Sequence, residues 1–435
     1  MKKARTSVLT AVIAAAAAAG GYFAINSDKT PVKPETTVVQ KTSNKFLFLS
    51  DIHLNSFSQN TDYGEDTGMI LWNAFLKKAD SVISSEKPDF IVYTGDLPAH
   101  YGKPFFLPKG MRTQHNTNLS TILAGLRTMA DTNKTPLFYL PGNNDAIAGD
   151  YYSFADEDDN TPLSLVPETT NPYPALNIDS TGQKPPFIID DQNLKKGYYT
   201  AQLTDGLQLI ALNTVIYSRH FKNVDGGNQL DYGNDQMKWL DQVLDSAKVT
   251  GDKVYIAMHI PPGKDAYGNT HGGYPDNWTY SLPTSTDPWN DDFLEVIAKY
   301  PSTIAGVLYG HTHMDELRRL YDPSGKNITE VAISCPGVTP QHDNNPGFKM
   351  VTYDENSKEL LDFITYHTVP SATSWGNATY SFNDQFGYSN QNTLFENLIQ
   401  DNLDSIHSKL NKIYTVKNGA PSYDIESGIE VFSEN

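Results

Sequence analysis

The sequence predicts an α/β fold, and two observations predict it. Short apolar runs recur from residue 45 to residue 354, and stretches with helical apolar spacing separate them. Strands that alternate with helices are the mark of the α/β class. The runs are 45–50 (KFLFLS), 89–95 (DFIVYTG), 136–142 (PLFYLPG), 207–214 (LQLIALNT), 253–260 (KVYIAMHI), 305–310 (AGVLYG), 330–335 (EVAISC) and 348–354 (FKMVTYD). Most are apolar without a break, as strands covered on both faces are.

Helices are expected over 69–86, 119–131, 235–249 and 291–300. Asn234 and Asp235 are candidate caps for the third, and acidic residues at the start of the fourth suit a helix N-terminus. Residues 392–414 place Leu394, Leu398, Ile406 and Leu410 among other apolar residues at helical spacing. They predict an amphipathic helix or helix pair within a C-terminal extension, 369–435, packed on a catalytic domain spanning 45–368. Two long connections, 146–200 and 261–290, have the length of lids or binding loops. The acidic run Asp156–Asp159 in the first lacks the spacing of a calcium loop and is expected on the solvated surface.

With 435 residues and 39% hydrophobic content, the chain has room for one large catalytic domain with insertions. Its formal charge of −18 repels nucleic acid and anionic membranes at long range, so no duplex binding is expected. A phosphate-bearing substrate needs a local attractor, and bound divalent cations would supply one. Cys335 stands alone, which rules out an intramolecular disulfide and predicts a buried thiol. Residues 1–25 carry Lys2, Lys3 and Arg5 ahead of an alanine-rich apolar stretch. That is the pattern of a cleaved secretory signal, with an N-terminal membrane anchor as the alternative. Residues 26–44 then form a disordered linker, and the protein is expected to be exported: secreted, periplasmic or anchored.

Seven potential metal ligands sit in five blocks, each after a predicted strand: Asp51 and His53 in LSDIHLN, Asp96 in YTGDLPAH, Asn143 in LPGNND, His259 in AMHIPPG, and His311 with His313 in YGHTHMD. Open α/β sheets place ligand sites beyond the carboxyl ends of their strands, and all five blocks conform. Asp96 has two carboxylate oxygens and can bridge two ions. Carboxylate, amide and imidazole ligands without a thiolate suit two divalent transition-metal ions, zinc first and iron or manganese as alternatives. Tyr267, His271, Tyr274, Trp278 and Tyr280, in the loop that follows His259, are candidate substrate contacts at the pocket rim.

The ordered blocks D-x-H, GD, GN, H and GHxH resemble the calcineurin-like metallophosphoesterase superfamily. TGDLPAH, MHIPPG, GHTHMDE and NNPGFKMVTYD look more narrowly like the acid-sphingomyelinase-like phosphodiesterases, over roughly residues 45–355. The resemblance implies a four-layer sandwich, two mixed β-sheets flanked by helices. It assigns Asp51, His53, Asp96 and His313 to one metal and Asp96, Asn143, His259 and His311 to the other. A hydroxide bridging the ions would attack phosphorus. Asp315, beyond GHTH, is a candidate to orient the histidines.

One position departs from the pattern. Where the superfamily usually continues GN with histidine, this chain has Asn144, which has no acidic proton to give but can hydrogen-bond a phosphoryl oxygen. His100, in GDLPAH, then becomes the candidate general acid. GNND also resembles the endopolyphosphatase branch, where the leaving phosphate departs as an anion without protonation. No cysteine-rich lipid-presenting segment precedes the domain start near Lys45, so small soluble phosphoesters, nucleotides or polyphosphate are expected ahead of bilayer sphingomyelin. The expected function is phosphodiester or phosphoanhydride hydrolysis. A nucleotide or polyphosphate phosphatase and an inactive binding module are the alternatives.

Overall fold

The strands in chain order begin with β1 (Ser43–Leu49), β2 (Phe90–Tyr93), β3 (Leu137–Tyr139), β4 (Ile188–Asp190), β5 (Tyr199–Thr204), β6 (Leu207–Ala211) and β7 (Lys253–Ala257). They continue with β8 (Ile304–Tyr309), β9 (Leu317–Tyr321), β10 (Ile328–Ser334), β11 (Gly347–Asp354), β12 (Leu360–His367), β13 (Thr379–Ser381) and β14 (Glu430–Val431). Six of them pair in the order β13-β12-β11-β1-β2-β3, and the other eight in the order β14-β9-β10-β8-β7-β6-β5-β4. Both sheets are mixed. β1, β2 and β3 are parallel and β11 joins β1 antiparallel; β6, β7, β8 and β10 are parallel while β9 and β5 are not. The computed structural model describes residues 42–100, 109–165, 188–190, 192–224, 226–264, 266, 278, 288–413 and 428–433. The expected signal or anchor segment lies outside the described residues, and so does the linker up to residue 41. Among the described residues no helix is long and apolar enough to cross a membrane.

The uninterrupted apolar runs have a direct structural cause. Along β7, Tyr255 and Ala257 enter the core between the sheets, while Val254 and Ile256 enter the core on the other face. Period-two alternation therefore sends every side chain into one core or the other. The sheets meet through rings: Phe46 of β1 lies 5.6 Å from Tyr255, and Tyr353 of β11 meets Tyr255 edge-on at 6.2 Å. Each such side chain contributes roughly 1.5–3 kcal/mol on burial.

Seven helices are seen among the described residues: α1 (Met69–Glu86), α2 (Lys109–Asn133), α3 (Gln229–Thr250), α4 (Pro288–Ile297), α5 (Phe382–Phe386), α6 (Leu394–Gln400) and α7 (Leu403–Ile413). Trp72, Phe75 and Ile83 of α1 share a core with β1 and β2, whereas Leu240 of α3 and Phe293 of α4 pack with the outward residues of β7. The result is two mixed sheets flanked by helices.

Some boundaries differ from expectation. α3 begins six residues before the expected 235, because Asn228 rather than Asn234 or Asp235 caps it, accepting from the Leu230 N–H at 3.1 Å. α2 likewise begins well ahead of residue 119. The C-terminal helices are a pair, α6 opening with a capping box between Thr393 and Glu396. The extension also adds strands: β13 joins β12, and β14 runs parallel to β9. Arg319 of β9 fastens it, donating to the carbonyls of Leu398 and Asp401 and pairing with Glu430. Cys335 is fully buried with its Sγ donating to the Phe48 carbonyl, and burial pushes its thiol well up.

Candidate metal centre

The blocks singled out in the sequence leave the strand ends through strained turns. Asp51, His53, Asp96, His311 and His313 all have positive φ, between 44° and 74°. Non-glycine residues adopt this region rarely and at a cost of order 1–3 kcal/mol, so the surrounding structure must over-determine it. Backbone contacts do so: Asp51 N–H donates to the Gly95 carbonyl, and Ile52 and His53 N–H to the Asp96 carbonyl. The glycines of GD and GN are sterically required. A side chain on Gly95 would run into the backbone of Gly142, and one on Gly142 into the Asp96 carboxylate.

These turns bring the ligands together. Asp96 Oδ2 lies 3.3 Å from His53 Nε2 and 3.1 Å from His259 Nε2, and Asp51 Oδ1 lies 3.5 Å from His313 Nε2. Asn143 Oδ1 is 3.1 Å from His259 Nε2. Donor atoms within metal-chelating reach of one another fall into the sets Asp51/His53/Asp96 and Asp96/His259/His311, which share Asp96. A further set joins His100 to His53 and His313.

The donor chemistry fits a cation. His53 Nδ1 lies 3.1 Å from the Pro98 carbonyl, and His259 Nδ1 lies 2.7 Å from the Thr94 carbonyl. A carbonyl can only accept, so both Nδ1 atoms carry hydrogen, and in the neutral rings both Nε2 atoms have lone pairs to offer. At His259 that lone pair, the Asn143 amide oxygen and the Asp96 carboxylate converge within 3.1 Å, an arrangement that needs positive charge among them. His53 Nε2 is likewise buried without a hydrogen-bond partner. The groups are therefore positioned to bind metal.

The electrostatics agree. Burial works against charge on Asp96, but His259 and His53 outweigh it and hold its carboxyl well below the usual range. Burial lowers the proton affinity of His259, yet Asp96 beside it prevails and pushes it up to about 9; His53 is raised by the same partner. His311 and His313 behave oppositely. Burial, helped by His259 and His342 respectively, holds them well below the ordinary imidazole value and keeps them neutral.

The remaining expected residues divide. His100 stacks on the His53 ring at 3.9 Å and is gripped by Asp66, whose carboxylate takes its Nδ1 hydrogen at 2.7 Å and its backbone N–H at 2.9 Å. Asn144 directs its backbone N–H and its amide N–H to Asp96, at 2.8 and 3.0 Å. It thus clamps the carboxylate, a different contact from the phosphoryl oxygen expected of it. Asp315 does not orient a histidine: it pairs with Lys349 at 2.7 Å and accepts from Thr365 and Tyr380. Trp278 is no rim residue. It is 1% exposed, packs on Tyr217 and Phe293, and donates to the Ile260 carbonyl, because so large a ring gains more from the core than from a wet rim. Tyr267, His271, Tyr274 and Tyr280 lie outside the described residues.

Four further residues belong to this centre. Asp145, the last letter of GNND, accepts from the N–H groups of Asp96, Leu97 and Gly142 and from Tyr139 OH, tying the GD and GN turns together. Burial, with Asp96 nearby, pushes its carboxyl up to about 7. Asp150 takes an amide hydrogen from Asn143 at 2.9 Å and so turns its oxygen towards His259. His342 stacks on His313 at 4.0 Å, and Asp66 braces His100. The acidic residue that closes GNND was a visible signal for Asp145; the other three carry none.

The calcineurin-like phosphoesterase family model matches residues 44–315. The chain belongs to this family. Among its relatives, a sphingomyelinase phosphodiesterase D of Dictyostelium discoideum is 29% identical, over 78% of this chain and 72% of that one. The cyclic GMP-AMP phosphodiesterase SMPDL3A of Mus musculus is also 29% identical, over 65% of this chain and 58% of that one. A dimetal phosphatase from Danio rerio is a structural neighbour at 14% identity and a TM-score of 0.43, covering 78% of this chain and 98% of that one. Family membership and the converging donors make the protein a metal-dependent phosphoric ester hydrolase.

Proposed function

We propose that this family member is an exported dinuclear phosphodiesterase acting on small soluble phosphodiesters, with phosphoanhydrides as further substrates. The observation that carries it is the single Asp96 oxygen within 3.3 Å of an imidazole from each donor set. Asp51, His53, Asp96 and His313 would hold one ion, and Asp96, Asn143, His259 and His311 the other. Two such cations, zinc ahead of iron or manganese, neutralise charge on a phosphoryl group and make water a nucleophile near neutral pH. Relatives named for sphingomyelin and cyclic GMP-AMP hydrolysis support the diester preference.

His100 serves as the proton donor. Asp66 takes the hydrogen on Nδ1, which leaves Nε2 as the atom that protonates the leaving oxygen. Asn144 and Asp145 hold Asp96 in register. A nucleotide or polyphosphate phosphatase is the second reading, favoured by Asn144 in place of a second acid, since phosphate leaves as an anion. Residues 1–25 would direct export.

Metal analysis is expected to find close to two ions per chain, and a metal-free, inactive protein would favour a binding module instead. Among substrates, an alkyl diester, a monoester, a nucleoside triphosphate and polyphosphate rank the two enzyme readings. His100→Ala is expected to slow alkyl diesters by about 10²–10⁴-fold and to spare nitrophenyl esters. Equal slowing of both removes His100 from the role of acid.

A further inference from the structure

A second cavity lies far from the metal centre. It opens at the start of β8, whose other end carries His311, and the strand between them is about 16 Å long. Its volume is about 320 Å³, large enough for a small organic molecule. Much of the wall is apolar, with Ile304, Leu360, Leu394 and Phe395, while Asn327, Thr329 and Thr393 and two carboxylates, Glu330 and Glu359, make the rest polar.

Glu330 is the anomaly. It is 6% exposed, on a strand whose other buried members are apolar or hydroxylic. The pairing of β10 with β9 shifts register between Ile328 and Glu330, making Thr329 the extra residue of a bulge. Bulges re-aim side chains and break strict alternation. Glu330 and its neighbour Val331 accordingly both line the cavity. Lys253, a cation that acts on Glu330, gives its ammonium to the Ser302 carbonyl at 2.6 Å. Burial and then Glu359 push the Glu330 carboxyl well up, only partly opposed by the Val331 N–H and Lys253.

We propose that this cavity binds a small organic ammonium ion, a singly charged head on a short alkyl body, with Glu330 as its counter-ion. Two carboxylates refuse an anion. A neutral apolar molecule offers the Glu330 carboxyl no positive partner, so burial continues to oppose its ionisation, whereas an ammonium head favours it. A hard divalent metal ion needs about six oxygen ligands at once, and here the Thr329 hydroxyl is held by the Leu320 carbonyl, the Thr393 hydroxyl by the Glu396 N–H and the Asn327 amide by Asp322. An alkylammonium satisfies both parts of the cavity, its head on the carboxylates and its chain on Leu360 and Leu394, with Phe395 able to present a ring face to the charge. The site is independent of the phosphoesterase reading.

Calorimetric titration of the full chain with n-butylammonium chloride tests this, with 1-butanol and sodium butyrate as neutral and anionic controls. Saturable one-to-one binding of butylammonium is expected, with neither control binding comparably. Glu330→Gln is expected to weaken it by at least about tenfold, as loss of a buried charged partner does, while phosphoesterase activity is unchanged. The proposal is overturned if butylammonium does not bind, if butanol binds equally well, or if Glu330→Gln binds as tightly as the parent. Should that variant fail to fold, Glu359→Gln decides: a severalfold loss supports the site, and an unchanged affinity overturns it.

Discussion

The two sheets contribute unlike halves of the metal centre. β1, β2 and β3 of the six-stranded sheet end in Asp51 and His53, Asp96 and Asn143, so both carboxylates and the amide come from one side. β7 and β8 of the eight-stranded sheet end in His259, His311 and His313, imidazoles only. The first half is anionic and the second is built from bases that burial holds neutral at His311 and His313. Asp96 meets His53 within its own sheet and His259 across the seam at nearly the same distance. The Asp51/His53/Asp96 set lies within the six-stranded sheet, whereas Asp96/His259/His311 draws on both, so a cation in the second set would fasten one half of the sandwich to the other.

Asp96→Asn attacks the shared point and carries the largest expected effect. Both donor sets lose their common anion, so metal content should fall towards zero. Turnover should drop by about a thousandfold or more, the scale of several kcal/mol of charge stabilisation. Elemental analysis beside kcat checks it. Two retained ions would show that Asp96 is not the bridge.

Next come variants that remove one imidazole from each sheet. His53→Ala and His259→Ala are each expected to leave about one ion per chain. Each should lower kcat by more than about a hundredfold, the upper end for a residue that merely orients a ligand. If either variant loses both ions, the two donor sets bind as one unit and the contrast between the sheets dissolves. A smaller effect belongs to Asp66→Asn, about 10–100-fold on alkyl diesters through looser placement of His100.

What could be read from the sequence follows physical visibility. Strands buried on both faces, such as β7 and β8, announce themselves as unbroken apolar runs. β9 (LRRLY) does not, because Arg318 and Arg319 are buried only through tertiary partners, the Pro262 carbonyl and Glu430. β12 is half-exposed along one face and its pattern is mixed. The ligands were legible because each is a chemically suitable residue at the end of such a run. Their supports were not, since Asp66 and His342 acquire a role only when distant turns meet, and Asp150 only through the path of the chain after Asn143. Trp278 shows the converse: an aromatic residue in a loop is an anchor when the core has room for it.

The last and smallest expected effect is a difference in pH response between metal-free and metal-loaded protein. In the metal-free fold, Asp96 overcomes burial and raises His259 from its ordinary value near 6.5 to about 9. A raised imidazole stabilises the fold fully below the unfolded value, and that contribution fades as pH climbs through 9. Metal binding has the opposite sign, because it needs the neutral imidazole and must displace the proton. Between pH 6.5 and 9, the metal-free protein should therefore lose stability at His259 while metal binds there more tightly. Scanning calorimetry at fixed free zinc, with and without chelator, is expected to show the gap in melting temperature widening by several degrees across that interval. A gap that stays constant would mean that no proton leaves His259 when metal enters, and that the imidazole facing Asp96 across the seam is not a ligand.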